Sequence, residues 1–513
     1  MQLMGMAENR NKIVAKNTIF LYVRMLFVLV VSLYTTRVLL AVLGIEDYGV
    51  YNVIAGFVTM FSFLNTSLAG AIQRFYNYET SKNAENGTSS VYSISLVIQI
   101  ALALIITLLL ETIGLWYLNN VMVIPHERIV AANILFQAST ISLALLIIGI
   151  PYSAAILSFE KMDYYAIVGI IDVVLKLLIV IVLPYLPYDK LVCYSVLLLL
   201  ISVVNFLLFF VYSKHHFHAL VFSVAYTKNR FAVKQMLSFA GWNVFGTFSN
   251  VVYSQGTNVL LNFFFGPIIN AARGIAGQIM SAIQSFSLNV VTAFRPQLVN
   301  SYAQNDFNRT RKLMFIESKV CFVLMCVLSV PVIVEINYIL HIWLGDNVPN
   351  YASVFSCLVL VHATITSLNL PFSQVIHATG NMKVFQLTTG CITCLIIPIA
   401  YVAFKMGADP ASVFWIGIIM ALISQIACIF IVNRIFYFGI KTYLSDVVVR
   451  CLAFVIILCV FPVIIGRTLP MSFCRLLLVV VVDIISAIPL TFYLVFNSQD
   501  RYSILHLFKK DKQ

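Results

Sequence analysis

Charge is what this sequence has least of. Of its 513 residues, 32 are lysine or arginine and 20 are aspartate or glutamate, so charged residues make up 10% of the chain against 61% hydrophobic. A soluble globular domain has no way to hide that much apolar surface, so that class is excluded. No P-loop, no HExxH and no metal-ligand cluster occurs, which removes an ATP site and a zinc centre. No stretch between apolar runs is long enough to fold as a separate domain. That speaks against a membrane enzyme such as a glycan polymerase or ligase, which carries its catalytic residues on a sizeable outer loop. The alternating ten-residue segments of a β-barrel are also missing. The 10 cysteines are scattered, mostly inside apolar runs, and imply no disulfide framework. Cys391 and Cys394 of "CITC" read as packing residues, and His215, His216 and His218 as a solvated loop cluster.

What is present is a series of apolar windows, each near the roughly 20 residues that a spanning helix needs. The N-terminus "MQLMGMAENRNKIVAKN" is polar. The first apolar run is too long for a signal-peptide core and lacks a small-x-small cleavage site, so it stays as the first helix. The spacing predicts an all-α polytopic membrane protein of fourteen spans, from 17–42 and 47–72, through 235–263 and 267–294, to 446–466 and 472–497. Most of the basic residues, among them Arg10, Lys12, Lys16, Arg74, Lys214, Arg295, Lys319 and Arg450, then fall on one side of the membrane. The positive-inside rule makes that side the cytoplasm and places both termini there. The net charge of +12 is therefore a topology signal and not a nucleic-acid footprint.

The two halves echo each other. "PYSAAILSFEKM" at 151–162 aligns with "PFSQVIHATGNM" at 371–382, and "NVIAG" at 52–56 aligns with "RGIAG" at 273–277, at nearly the same offset. The offset spans six helices, an even number, so both halves enter the membrane the same way, as in parallel-repeat transporters. The expectation is two pseudo-symmetric six-helix bundles, residues 1–215 and 216–440, with two accessory helices and a cytoplasmic tail over 441–513.

Polar residues inside the spans are the candidate functional groups. Asn243, Thr247, Asn250, Ser254 and Thr257 step by 4, 3, 4 and 3 and share one helical face, extended by Asn258 and Asn262. Such a seam lines a cavity or serves as interhelical hydrogen-bond glue. The eighth span carries Arg273, Gly277, Met280 and Gln284 at similar spacing, and Arg273 stands where the repeat has Asn52. Arg24 and Arg273 each lie about two turns into a span, close enough to snorkel to the interface or to line a cavity. Lys176 lies near the middle of its span, one turn after Asp172. The two can pair as structural glue, or Asp172 can serve as an ion-coupling site.

Arginine and lysine together with amides and hydroxyls suit an anion that also offers hydroxyls, such as a phosphate-linked glycan. Organic cations would call for acids and aromatics instead. The stretch "NTIFLYVRMLFVLVVSLYTTRVLLAVLGIEDYGVYNVI", with its Leu-Gly-x-x-x-Tyr-Gly turn, together with the Arg74 segment, the fourteen spans and the repeat, resembles the polysaccharide transporter, or O-antigen flippase, family. That family lies within the multidrug/oligosaccharidyl-lipid/polysaccharide exporter superfamily. The resemblance implies alternating access by two bundles. It also implies movement of undecaprenyl-diphosphate-linked oligosaccharide from the cytoplasmic to the periplasmic leaflet of a bacterial inner membrane, for O-antigen or capsule. In the related lipid II flippases, arginines of the first, second and eighth helices meet the diphosphate. Arg24 and Arg273 fall in the first and eighth helices here, whereas the second offers Asn52 and Thr59 instead. The expected cargo-binding set is Arg24, Arg273, Lys176, Asn243, Thr247, Asn250, Ser254, Asn258 and Gln284, with Asp172 for ion coupling. No cofactor or nucleic-acid partner is expected. Membrane lipids surround the chain, and polysaccharide polymerase machinery is the implied protein partner. Without an ATP site, energy comes from an ion gradient, of H+ or Na+, or from mass action. A cation-coupled multidrug exporter of the same superfamily is the alternative.

Overall fold

The computed structural model describes residues 2–62, 68–69, 72–73, 75–76, 85–159, 161–217, 220–227, 230–379, 382–498 and 500–501. Within these, residues 2–28, 62, 85–86, 162, 227, 230–247, 292–293, 296, 300 and 303 are described by their backbone alone. The side chains of Arg24, Asn243 and Thr247, and the whole of Arg74, therefore lie outside the described residues.

The described residues form helices and connecting turns, with no strand among them. Two compact units result, Met1–Gly241 and Trp242–Gln513. The first contains α1 (Gln2–Thr59), α2 (Glu85–Leu109), α3 (Ile129–Ser158), α4 (Met162–Val182) and α5 (Lys190–His216). The boundary falls within α6 (Arg230–Phe265). The second unit continues with α7 (Pro267–Ala303), α8 (Phe307–Val334), α9 (Ala352–Ser367), α10 (Leu370–Thr379), α11 (Lys383–Cys394), α12 (Ile396–Lys405) and α13 (Ser412–Ile435). It ends with α14 (Val449–Thr468) and α15 (Phe473–Leu490).

Eleven helical segments among the described residues are long and apolar enough to cross a membrane, against the fourteen spans read from the sequence. That count leaves out residues 2–28 and 230–247, so the first expected span and the start of α6 lie outside it. The first two expected spans run on as α1, bent at Gly44, whose φ of 79° and ψ of 171° break the helix. A positive φ is a conformation that glycine enters without a Cβ penalty. α6 and α7, which carry the polar seams, are not among the eleven. Gly266, at φ 80°, and Pro267 separate these two helices. Proline at the first helical position loses no hydrogen bond and presets the turn.

In the first unit α3 packs along α5 and against α1 and α2, over a core that includes Val53, Ile54, Leu135 and Phe136. Arg128 ties three chain segments together. Its guanidinium pairs with Asp47, and its Nη1 lies 2.6 Å from Asp189 Oδ2. Asp189 also caps α5, accepting from the Val192 N–H at 3.0 Å.

In the second unit α7 packs on α8, α9 and α10. α14 and α15, the helices outside the repeat, pack on α8, and buried ion pairs join them to it at both ends. Lys319, placed by the sequence reading on the cytoplasmic side, lies inside α8 and is 0% exposed. Its Nζ is 2.9 Å from Asp446 Oδ2 and 2.8 Å from Asp500 Oδ2. At the other end of α8, Glu335 Oε2 accepts from Arg475 Nη2 at 2.6 Å, and Arg475 also donates to the Gly466 and Leu469 carbonyls. The lysine and the glutamate are sixteen residues apart, roughly 24 Å along a helix axis. Asp483, in the middle of α15, is fully buried, and its carboxyl oxygens have no hydrogen-bond partner among the described residues.

Candidate functional site

The polar seam of α6 has two fates. Asn250 and Ser254 line a cavity of about 390 Å³ in the second unit. Further along, the seam turns to glue. Thr257 donates to the Tyr253 carbonyl, Asn258 Nδ2 donates to Gln255 Oε1 at 2.7 Å, and the Asn258 carbonyl accepts from Asn270 Nδ2 of α7 at 2.8 Å. Asn258 is therefore part of the α6–α7 joint and is not among the cavity residues.

α7 contributes Arg273, Met280, Gln284 and Ser287 to the same cavity. Arg273 is 7% exposed, and its Nε has no hydrogen-bond partner. No carboxylate pairs with it among the described residues. What it does meet is aromatic, since its guanidinium carbon lies 5.6 Å from the Phe414 ring centroid. A face-on cation at this distance gains part of what a carboxylate would give, without cancelling the charge. Gly277 makes the position workable, because a Cβ there would come within 3.3 Å of Arg273 Nη1.

The rest of the lining was not singled out in the sequence. Tyr253 comes from α6, Met325 from α8, and His362, Thr366 and Ser367 from the α9 side. The Tyr253 and His362 rings are 5.5 Å apart. Gly417 of α13 leaves room for the phenol, for a Cβ there would sit 2.8 Å from the Tyr253 hydroxyl oxygen. His362 and Thr366 stand four apart in an apolar run, the same signal that revealed the α6 seam. Ser287 Oγ is buried with no partner. The cavity thus carries one buried, unpaired cation beside amide, hydroxyl and imidazole groups. It has no carboxylate in its lining. Chemically it can hold an anion, with a planar fork of donors for paired oxygens.

Lys176 and Asp172 line a different cavity, of about 340 Å³, built from residues of the first unit. Lys176 Nζ donates to Asp172 Oδ2 at 2.7 Å, and Asn205 Nδ2 donates to Asp172 Oδ1 at 2.7 Å. Both carboxylate oxygens are therefore engaged, and the charge of Lys176 is matched on the spot. At the offset of about 220 residues read from the sequence, Thr59 falls on Met280, and Ser139, Leu143 and Leu146 fall on Val359, Ala363 and Thr366, all of them cavity residues.

Residues 14–301 match the family described as "Polysaccharide biosynthesis protein". This chain belongs to that family. The match covers the first unit from residue 14 onward and reaches past Arg273, so the family assignment includes the α6–α7 part of the second cavity. No curated protein matches the sequence. Among solved structures, the lipid II flippase MurJ in an inward closed conformation aligns with a TM-score of 0.68 at 14% identity, covering 92% of this chain and 98% of that one. An inward-facing multidrug resistance MATE family transporter of the MOP superfamily aligns at 0.66 and 13% identity, covering 80% and 98%. The eukaryotic MATE transporter AtDTX14 aligns at 0.56 and 11% identity, covering 83% and 98%. At such identities the likeness concerns the fold. This family member is thus a multi-pass membrane protein with the fold of MOP-superfamily transporters.

Proposed function

We propose that this chain flips a lipid-linked oligosaccharide, joined through a diphosphate to a polyprenyl such as undecaprenol, from the cytoplasmic to the periplasmic leaflet of a bacterial inner membrane. The glycan serves surface polysaccharide such as O-antigen or capsule. The observation that carries this reading is Arg273, a buried guanidinium without a carboxylate partner, set in a polar cavity of a polysaccharide biosynthesis family member. At mid-bilayer an arginine costs roughly 2.5–3.5 kcal/mol on insertion scales. Placing it in a cavity with an open Nε and no counter-charge makes sense where the cargo supplies the anion. Arg24 and Gln284 are its proposed partners at the headgroup, and Asn243, Thr247, Asn250 and Ser254 extend the polar face along α6. The polyprenyl tail stays in lipid. A gradient of H+ or Na+, or consumption of the product by a polymerase, supplies direction.

The shared MATE fold favours a second reading, an exporter of organic cations. A cavity centred on an arginine with no acid in its lining repels such cargo. The two readings separate in cells in which Arg273 is replaced by alanine. The flippase reading expects loss of surface glycan, with the lipid-linked unit retained on the cytoplasmic leaflet and normal protein levels. Unchanged glycan export, or loss of resistance to cationic dyes alone, would overturn it.

A further inference from the structure

The cavity of the first unit has a different chemistry from that of the second, and the repeat makes the difference visible. On the offset set by Pro151 and Pro371, Ser142 corresponds to His362 and Ser139 to Val359; on the offset set by the "IAG" match, Asn52 corresponds to Arg273. Where the second cavity is lined by a cation and an imidazole, the first is lined by hydroxyls, and Asn52, which donates to the Tyr48 carbonyl, is not in its lining. Its charged pair, Lys176 with Asp172, cancels internally, so nothing in its lining favours a net anion.

The hydroxyls are unusual for serines in a helix. A membrane-embedded serine ordinarily folds its Oγ back onto a carbonyl one turn earlier. Ser195 and Ser202, on the α5 wall, do this, donating to the Leu191 and Leu198 carbonyls at 2.6 and 3.1 Å. Ser139 and Ser142, on the α3 wall, have no partner among the described residues, although both line the cavity. The remaining valences also point to a neutral, hydroxyl-rich guest. Each oxygen of Asp172 accepts one bond and has a lone pair to spare, while Lys176 Nζ donates one and has two more N–H groups. Carboxylate and ammonium held side by side can accept from and donate to neighbouring hydroxyls of one ring. Tyr51 adds an aromatic face, against which the apolar side of a pyranose can lie. Lys176 is 47% exposed near the middle of α4, which calls for a polar neighbour other than lipid. The volume, about 340 Å³, falls at the lower end of small-molecule pockets.

We propose that the first unit's cavity is a subsite for an uncharged sugar residue of the cargo, held by Ser139, Ser142 and the Asp172–Lys176 pair. Lys176 then acts as a hydroxyl ligand and not as a phosphate clamp. The inference rests on the flippase reading and deepens it by giving the sugar hydroxyls a subsite within the first unit.

The test uses the full chain in lipid nanodiscs and two probes, bare undecaprenyl diphosphate and undecaprenyl diphosphate carrying one N-acetylglucosamine. The wild-type protein should bind the glycosylated probe more tightly. In the Ser139→Ala/Ser142→Ala variant that preference should shrink by about fivefold or more, as expected from two lost hydrogen bonds, with affinity for the bare probe kept. Lys176→Gln, which keeps the side chain polar and removes its charge, should also reduce the preference while leaving the bare probe bound. Arg273→Ala should weaken both probes together. If the serine variant keeps the full preference, the subsite is wrong and the flippase reading stands. If the wild-type protein binds neither probe above phosphatidylglycerol nanodiscs, the flippase reading fails and takes the subsite with it.

Discussion

Arg273 stands over the Phe414 ring at 5.6 Å and lines a cavity that contains no carboxylate among the described residues. A buried guanidinium held by an aromatic keeps its full charge for something that enters. If the entering group is a diphosphate, the forked shape of arginine matters as well as its charge. Arg273→Lys should retain part of the activity, because a lysine binds phosphate as a point charge, whereas Arg273→Ala should lower transport by tenfold or more. Comparing initial translocation rates of the two variants at matched protein amount checks this. Equal rates would separate the residue from the chemistry assigned to it.

The glycines beside the site offer a gentler perturbation. Gly417→Ala puts a Cβ 2.8 Å from the Tyr253 hydroxyl oxygen, so the ring must tilt into the cavity. Gly277→Ala places its Cβ 3.3 Å from Arg273 Nη1 and displaces the flexible end of a side chain. Both variants should fold with thermal midpoints near the wild-type value. Gly417→Ala should show the larger drop in transport, because an aromatic ring has fewer ways to yield. Melting curves recorded alongside transport rates separate the two effects.

The clamps on α8 make a stability prediction with a built-in control. Lys319→Met leaves Asp500 buried without its cation, while Asp446 keeps Arg450, and should cost about 3–5 kcal/mol. Removing both partners at the other end, as Glu335→Leu with Arg475→Leu, should cost much less than Glu335→Leu alone. A buried pair replaced by apolar groups is close to neutral, while a stranded charge is not. Thermal unfolding in a single detergent, read for the single and double variants, is the measurement.

Asp189 gives a pH dependence. Burial pushes its carboxyl up, but the Val192 N–H and the Arg128 guanidinium outweigh this and hold it below the usual carboxylate range. The ionised form is therefore favoured by folding. Its contribution is complete above about pH 4 and is lost as pH falls through the lowered value. Asp189→Asn should flatten the acid side of the stability-versus-pH curve and leave the neutral region with a small, constant loss from the weaker cap. An unchanged acid slope would remove Asp189 from that role.

Much of this architecture was legible in the sequence because hydropathy dominates in a bilayer. The break at Gly44, the α6 seam and Arg273 of α7 all announced themselves as departures from an apolar background. What stayed hidden depended on tertiary contact. Tyr253 reads as one more aromatic, and only the cavity distinguishes it. Lys319 reads only as one more cation on the cytoplasmic side, because its partners, Asp446 and Asp500, are 127 and 181 positions away in the chain. The division of the α6 seam into cavity lining and glue depended on Asn270 reaching back to the Asn258 carbonyl, which no periodicity contains.

The central claim is that an unpaired cation in the second unit's cavity receives an anionic, lipid-anchored cargo. The most direct measurement is translocation of a fluorescent undecaprenyl-diphosphate sugar in proteoliposomes, scored by its accessibility to a membrane-impermeant quencher. Wild-type protein should equilibrate the probe between leaflets, and Arg273→Ala protein, reconstituted at the same density, should leave it near the protein-free rate. Wild-type translocation by the alanine variant would contradict the account.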